Sequence, residues 1–262
     1  MASSINPSLA ALTAVLSSAP LLHAATPIAA TGANQDIIVE GYDVGGDPSQ
    51  FVTSSFDIPN GSTFLAKGIG FGGDPGLLES FSSAADPTVS FELLGSFTEN
   101  NALQLMNGTS GSLVITSPAA YTSIFVLSAS ANGTGTGTAT IHFAGGSSVP
   151  LAFTSGDWYS STDIAIGGGP VYASISGGAL GYFTNGSGAA LPPPALFQYE
   201  LDIPEAYEDL EVTSIDFAMD SVGDDRLSTA IMGLSGNVTV PEPSVALLFS
   251  GLGLLGLARR RR

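Results

Sequence analysis

The chain has 262 residues, with 33 Gly, 16 Pro and no Cys, and its formal net charge at pH 7 is −17. Only 11% of the residues are charged, against roughly 25% in an ordinary soluble domain. A body this acidic repels phosphate backbones, so we expect it to bind no nucleic acid. The lack of Cys excludes disulfide scaffolds, thiolate zinc sites, iron–sulfur clusters and Cys nucleophiles.

The first 25 residues are predicted to be a secretory signal peptide. Residues 9–22 form an apolar stretch of the length of a signal h-region, and small residues follow it through Ala24 and Ala25. No Lys or Arg precedes this stretch and a strict Ala-x-Ala site is missing, so the predicted cleavage lies only near Ala24 or Ala25. Residues 26–35 are predicted to be a linker.

Residues 36–238 are predicted to form one all-β domain. Short apolar or alternating runs recur with turn signals about every 8–12 residues, a pattern typical of a sandwich or barrel. Turn pairs such as Asn107-Gly108 and Asn132-Gly133 lie between these runs. A short helical turn is predicted within 204–210. The predicted strands are 50–58, 88–94, 111–116, 121–130, 137–143, 148–154, 195–203, 211–218 and 229–238.

The order of these runs carries a resemblance to a known architecture. Strands such as SIFVLSAS and TATIHFAGGSS in the centre, with a closing strand at 230–236, resemble the jelly-roll β-sandwich modules of secreted bacterial proteins, galactose-binding-like in style. The resemblance implies a single jelly-roll-like β-sandwich with a tendency to bind carbohydrate. Fold alone does not fix function, so the ligand stays open.

Asp157, Trp158 and Tyr159 are the candidate carbohydrate-binding residues. A carboxylate beside an aromatic platform suits recognition of a sugar ring, and Trp158 is the one Trp of the chain. The competing interpretation is that Asp157 caps a turn after Ser155-Gly156 and that Trp158 fills the core. The many carboxylates also leave a glycosidase pair open on residue type alone.

Calcium is the cofactor that suits this composition, because hard oxygen ligands are abundant and soft ligands are absent. Jelly-roll modules often hold a structural Ca²⁺, which the resemblance therefore also implies. The candidate ligands are Asp36, Glu40, Asp43 and Asp47, with a second group at Asp220, Asp224 and Asp225. Neither group matches the sequence pattern of an EF-hand loop, and the competing interpretation is a solvated acidic loop.

No catalytic residue is assigned, and we expect the protein not to be an enzyme. His142 is the one His beyond the predicted signal peptide, and a Ser-His-Asp triad would have to use it. No G-x-S-x-G sequence nominates a nucleophile for that triad. We therefore interpret His142 as a strand residue that is either satisfied internally or facing solvent.

A row of threonines precedes His142 at alternating positions. Thr134, Thr136, Thr138 and Thr140 would project from one face of a strand, about 7 Å apart. Flat Thr ladders also form some ice-binding surfaces, but those repeat the row over several strands. A single row, half of it in a Gly-rich turn, does not favour that function.

The C-terminus carries the most specific pattern of the sequence. Val240-Pro241-Glu242-Pro243 precedes an apolar run at 244–258, and four arginines end the chain. Together, residues 239–262 resemble the PEP-CTERM sorting signal of Gram-negative, exopolysaccharide-producing bacteria. The resemblance implies that an exosortase, a membrane peptidase, removes the tail. The arginines that would hold the end of a predicted transmembrane helix on the cytoplasmic side are Arg259, Arg260, Arg261 and Arg262.

These patterns together predict a non-catalytic exported protein of the cell envelope or exopolysaccharide matrix. The expected partners are an exosortase-type membrane peptidase, the inner membrane during export, and exopolysaccharide. Acidic side chains can bridge to an anionic polysaccharide only through a divalent cation, which predicts Ca²⁺-dependent association with the matrix. The alternative is a secreted carbohydrate-binding module or a glycoside-active enzyme.

Overall fold

A computed structural model describes residues 24–39, 56–57, 62–65, 77–158, 164–166, 172–176, 179–182 and 195–239. These residues are all-β apart from one 3₁₀ turn, Glu205–Tyr207. Among them, no helix is long and apolar enough to cross a membrane. The strands are β1 (Thr26–Pro27), β2 (Ala30–Thr31), β3 (Ile38–Val39), β4 (Ser62–Leu65), β5 (Ser80–Ser82), β6 (Ser90–Glu92), β7 (Leu103–Met106), β8 (Ser110–Ala131), β9 (Gly135–Phe143), β10 (Ser148–Ser155), β11 (Ile164–Ile166), β12 (Tyr172–Ser176), β13 (Ala179–Tyr182), β14 (Leu196–Asp202), β15 (Glu211–Met219) and β16 (Ser228–Val238).

Strand β8 runs for 22 residues and belongs to two sheets. Its first half pairs with β15 on one edge and β2 on the other, and its second half pairs with β14 and β16. The register with β15 shifts midway, because Ser214 pairs with Val114 but Val212 already pairs with Ala119. Such a bulge lets a strand leave one sheet and enter another. Pro118, which cannot donate to a ladder, lies within it.

The two sheets that share β8 form a sandwich. Sheet one contains β7 and β1 beside β16, then the second half of β8, β14 and β11. Sheet two contains β2, the first half of β8, β15, β9 and β10. The strand pairs within both sheets are antiparallel.

The inner faces of sheets one and two enclose the first hydrophobic core. Sheet one supplies residues such as Val126 and Leu234, and sheet two supplies residues such as Ile141 and Phe217, all fully buried. Phe153 of β10 meets Phe217 edge to face, with ring centroids 5.3 Å apart. Burial of this apolar surface is the main free energy that holds the two sheets together.

The opposite face of sheet one is buried as well. Phe125 and Leu127 of β8 and Met232 of β16 point into a second core. That core is covered by the β5–β6 hairpin and by a small sheet in the order β13-β12-β4-β3, which contributes Phe64. Sheet one is therefore a middle layer between two apolar cores.

The middle position of sheet one explains the composition of its two longest strands. Residues 123–131 of β8 and 228–236 of β16 are buried without interruption, on both faces of the sheet. Small and β-branched residues such as those of SIFVLSASA suit a strand that has no solvent face. In sheet two, by contrast, β9 and β15 alternate between buried and partly exposed residues, because only one face is covered.

The Gly-Thr alternation at the start of β9 also has a packing cause. Gly135 faces inward, where an added Cβ would lie 2.6 Å from the Ser130 hydroxyl and 2.4 Å from that of Thr229. An added Cβ at Gly137 would lie 2.2 Å from the backbone oxygen of Ala218. The glycines are thus required by close approach on the inner side, and the threonines between them point outward.

The strand prediction is largely confirmed within the described residues. The predicted strands at 111–116 and 121–130 are the two halves of one continuous β8, and the predicted helical turn is the 3₁₀ turn. Predicted strands 137–143, 148–154, 195–203, 211–218 and 229–238 correspond to β9, β10, β14, β15 and β16. The all-β sandwich is thus observed, whereas the predicted signal and transmembrane helices, and most of the predicted strand 50–58, lie outside the described residues.

The predicted linker at 26–35 is not a linker in the structure. Thr26 and Pro27 pair with β16, Ala30 and Thr31 pair with β8, and Gln35 bridges to Ala102. The reason is that Ile28 and Ala30 are buried in the first core, which holds this segment against the sandwich.

We predict that Gly137→Ala lowers the free energy of unfolding by about 1–3 kcal/mol, the usual cost of overpacking. The new methyl group would meet a backbone oxygen of β15, which cannot move without disturbing sheet two. Gly223→Ala is the matched control, since nothing lies within 4 Å of its added Cβ. Urea unfolding of both variants measures the difference, and equal midpoints would contradict the packing described here.

Candidate functional site

The outer face of sheet two is a regular, solvent-facing surface. Side chains of β10, β9, β15 and β8 stand on it in register, with Pro150, Thr140, Asp216 and Ser112 forming one row across the four strands. We call this surface the polar face. Its members are Ser148, Pro150, Ala152, Thr154, Thr136, Thr138, Thr140, His142, Ser214, Asp216, Ala218, Ser110, Ser112 and Val114.

Every side chain of the polar face is exposed or half-buried. With strands about 4.8 Å apart and alternate residues about 7 Å apart along each strand, four strands give a platform of about 14 by 20 Å. Its side chains are short, mainly hydroxyls and methyl groups, so few atoms project far from the sheet. The polar face can therefore contact a flat partner through many weak hydrogen bonds and methyl contacts.

The polar face carries little charge although the chain is strongly acidic. Its one carboxylate is Asp216, which accepts a hydrogen bond from the Ser112 hydroxyl and lies 2.8 Å from Nε2 of His142. The bond from Ser112, with a further contribution from His142, lowers the pKa of Asp216. Asp220 borders the polar face, where it accepts a 2.8 Å hydrogen bond from the Thr136 hydroxyl.

This cluster does not form a nucleophilic triad. In such a triad the imidazole lies between the hydroxyl and the carboxylate, so that it can remove the hydroxyl proton. Here Asp216 lies in the middle, with Ser112 on Oδ1 and His142 on Oδ2. His142 is thus a half-buried strand residue with a carboxylate partner, which agrees with the interpretation that it is satisfied internally.

The proposed sugar-stacking role of Trp158 is wrong. Trp158 is 1% exposed and lies in the second core, 5.0 Å from Phe56 and 5.5 Å from Phe64 between ring centroids. Both contacts are edge to face, which fills the space around the indole on two sides. Tyr159, the third candidate, lies outside the described residues.

Asp157 stabilises a turn, as the competing interpretation predicted, but this turn lies between β8 and β9 and not directly after Ser155-Gly156. Its Oδ2 accepts a 2.7 Å hydrogen bond from the backbone N–H of Gly133. Asn132 and Gly133 both have positive φ, 64° and 129°, as expected for the tight connection between β8 and β9. Asp157 therefore fixes the start of β9, and with Trp158 buried behind it the two do not form a binding platform.

The described residues do not assemble the predicted calcium site. Of the four candidate ligands only Asp36 is described; Glu40, Asp43 and Asp47 lie outside the described residues. Asp36 is buried, and its Oδ1 accepts a 2.7 Å hydrogen bond from the Asn101 amide. In the second group, Asp220 bonds Thr136 and Asp224 pairs with Arg226. No three potential metal ligands meet anywhere in the described part of the chain.

One groove in the described structure contains two carboxylates. It has a volume of about 250 Å³ and lies between the N-terminal segment 28–30 and the β5–β6 hairpin. Glu79 and Glu92 line it, together with small and aliphatic residues. No aromatic side chain is among its lining residues, so it lacks the stacking surface that the sugar-site hypothesis required.

One column of the polar face, the threonines of β9, is visible in the sequence, and the other three columns are not. Thr138 and Thr140 lie on β9 as predicted. Thr136, which was predicted to lie in the Gly-rich turn, is on β9 as well, because the strand begins at Gly135. The alternation in β8, β10 and β15 was visible, but which strands are neighbours was not. Thr columns do not recur on those neighbours, so the ice-binding hypothesis gains nothing from the face.

Comparison with known proteins identifies the tail of the chain. Residues 239–262 match the PEP-CTERM protein-sorting motif. A mutant of a family 29 carbohydrate-binding module is a remote structural neighbour, with 14% identity over 62% of this chain and 95% of that one and a TM-score of 0.29. At that score the likeness carries no argument about function. Among curated proteins no match is found.

We predict that the fluorescence of Trp158 reports on the core and not on a ligand. As the one Trp of the chain, it should emit at short wavelength, resist quenching by acrylamide and stay unchanged when polysaccharide is added. Trp158→Ala should lower the free energy of unfolding by about 3–5 kcal/mol, and Trp158→Phe by less. A red-shifted, quenchable emission would contradict the burial of this side chain.

We predict a pH effect from Asp36. Burial raises the pKa of its carboxyl, against the opposing hydrogen bond from Asn101. The folded state therefore holds this proton more tightly than the unfolded state, and the free energy of unfolding falls as pH rises from about 4 through the raised pKa.

Asp36→Asn should remove this loss and keep an acceptor for Asn101, so the variant gains stability over the parent as pH rises through that window. Asp36→Ala, which removes the acceptor, should cost about 1–3 kcal/mol. Urea unfolding at several pH values measures both. A difference between Asp36→Asn and the parent that does not change with pH would refute the assignment.

Proposed function

We propose that this protein is a non-catalytic component of the cell envelope or exopolysaccharide matrix of a Gram-negative bacterium. The observation that carries the proposal is the PEP-CTERM match at 239–262, which begins where the folded body ends. Because the motif begins after β16, the last described strand, its removal takes away none of the described core residues. In this proposal the body binds a partner or has a structural role, and the tail serves export.

Export would proceed in two stages. The predicted signal peptide directs the chain to the inner membrane, and the apolar run 244–258 then holds it there with Arg259–Arg262 on the cytoplasmic side. A membrane peptidase of the exosortase type cuts near Pro241–Pro243 and frees the acidic sandwich outside the inner membrane.

We predict that the protein recovered from the medium and envelope of its host lacks the residues beyond about Pro243. Intact mass measurement gives the C-terminus directly. A full-length chain with all four C-terminal arginines would mean a tail-anchored membrane protein and would overturn the sorting proposal.

The same mass measurement locates the N-terminus. The sequence pattern ends the signal peptide at residue 25, but the contacts of Ala25 favour a cut before that residue, so we predict a mature chain that begins at Ala25 or earlier. Ala25 is 1% exposed, and its carbonyl oxygen accepts hydrogen bonds of 3.2 Å from both the N–H and the hydroxyl of Ser90. Signal cleavage beyond Ala25 would remove these contacts with the β5–β6 hairpin. A mature chain that begins at Thr26 or later would contradict this prediction.

The polar face is the surface that we propose for contact with the polysaccharide. A hydroxyl-rich and nearly uncharged surface pays only a small desolvation cost when it meets a polymer of similar groups. The rest of the acidic surface would need a divalent cation to approach an anionic polymer. The polar face needs none, so association through it should persist in EDTA.

We predict that Thr138→Glu with Thr140→Glu weakens binding to the host polysaccharide by about tenfold or more, because new carboxylates must be desolvated on contact. The control is Ser80→Glu with Ser82→Glu, two exposed hydroxyls on β5 outside the polar face. Co-sedimentation with the polysaccharide, with and without EDTA, measures both. Equal loss in the two double variants would exclude the polar face, and loss of parental binding in EDTA would restore the calcium-bridge hypothesis.

A glycoside-active enzyme is the alternative function, and the groove with Glu79 and Glu92 is the one observation that favours it. Glycoside hydrolysis uses such a pair of carboxyl groups. Incubation of the parent with the host polysaccharide should release no reducing ends. If it does, and if Glu79→Gln or Glu92→Gln abolishes the release, the non-catalytic proposal is wrong.

A further inference from the structure

The folded body and the sorting signal adjoin without a linker. Strand β16 ends at Val238, and Thr239 is still fixed: its N–H donates to the carbonyl of Ala120 at 3.0 Å and its hydroxyl to the carbonyl of Glu208 at 2.8 Å. The PEP-CTERM match starts at this same residue, and Pro241 follows two positions later.

Strand β16 cannot peel away to lengthen the connection. It pairs with β8 along its full length, and with β7 and β1 on its other edge. Ile231 and Leu234 lie in the first core, and Ala230 and Met232 lie in the second. Detaching the strand would expose both cores, which costs far more than the stability of a typical domain allows.

The position of the motif relative to the body is therefore narrowly limited. Two residues span at most about 7 Å, whereas a body of about 200 residues has a radius of gyration of about 16 Å. A peptidase that holds Pro241–Pro243 must come into contact with the surface around Thr239. The connection from Thr239 to Pro241, which we call the tether, is too short to leave a solvent layer or a flexible segment between the two proteins.

The surface around Thr239 is an ordered part of the fold. It comprises the β8 bulge and the stretch 202–211, which we call together the exit corner. Tyr207 of the 3₁₀ turn stacks on Phe143 of β9, with ring centroids 5.1 Å apart and planes 17° from parallel. The acidic residues of the exit corner are Asp202, Glu205, Glu208, Asp209 and Glu211.

No Lys or Arg balances the exit corner within the described structure. Arg226, the one described residue of either type, lies two residues before the start of β16. The 11 residues of that strand, about 35 Å in length, separate it from Thr239. A surface that is pressed against this corner must therefore carry cations or leave the carboxylates unpaired.

We infer that the folded body is the form that the exosortase-type peptidase processes, and that the exit corner docks on a basic patch at the outer surface of that peptidase. This rests on the proposed sorting function and adds a recognition surface outside the Pro-Glu-Pro motif. Association of complementary charged surfaces speeds encounter and fixes orientation. Here the tether makes the contact obligatory and the carboxylates make it favourable.

The test follows processing of the full chain in its host by pulse labelling and intact mass. Four chains are compared: the parent, Glu205→Lys with Asp209→Lys, a chain with twelve Gly/Ser residues inserted between Thr239 and Val240, and the charge changes combined with that insertion. Glu99→Lys with Asp225→Lys is the matched control, since both residues are exposed and lie outside the exit corner. Thermal unfolding of the purified bodies verifies that all variants fold.

We expect the exit-corner charge changes to slow processing about tenfold or more when the chain carries no insertion. When the insertion is also present, the processing rate should be within about twofold of the parental rate. The control variant should match the parent. Processing of the exit-corner variant at the parental rate, or equal slowing with and without the insertion, would overturn the inference. Faster processing of that variant would show that the corner meets an anionic membrane surface instead. If the parent itself keeps its tail, the sorting proposal fails, and the docking inference that rests on it fails as well.

Discussion

The burial of sheet one on both faces is the constraint on which the rest of the structure depends. The second half of β8 and nearly all of β16 have no solvent side, so every residue there must suit an apolar neighbour above and below the sheet. Charge is thereby displaced to turns and strand ends, and outward-facing polar residues are concentrated on sheet two. The acidic exit corner and the nearly neutral polar face are two results of the same layering.

Much of the strand pattern could be predicted from the sequence, because turn signals and alternation are local. The strands of sheet two alternate cleanly and were placed to within a few residues. The division of β8 into two predicted strands had a physical reason, since Pro118 interrupts the pattern at the residue where the strand changes sheets. The third layer was not predicted, because the pairing of β3, β4, β12 and β13 depends on distant partners that a single sequence does not reveal.

The candidate site was harder to predict than the fold. Trp158 beside Asp157 has the composition of a sugar site, and only the packing of Phe56 and Phe64 on the indole shows that it is core. The polar face consists of residues that are individually unremarkable, such as Ser112, Thr140 and Ala218. Its character comes from register across four strands, which is a non-local property. The sorting motif, in contrast, is a contiguous pattern and could be predicted from the sequence alone.

The pairing of β1 with β16 brings the two ends of the body together, with Thr26 opposite Gly236. Because both cores require β16, neither can close until the last eleven residues of the body have been added. In a chain that crosses a membrane from its N-terminus, β16 is the last part of the body to cross, so the native fold would be completed only on the far side.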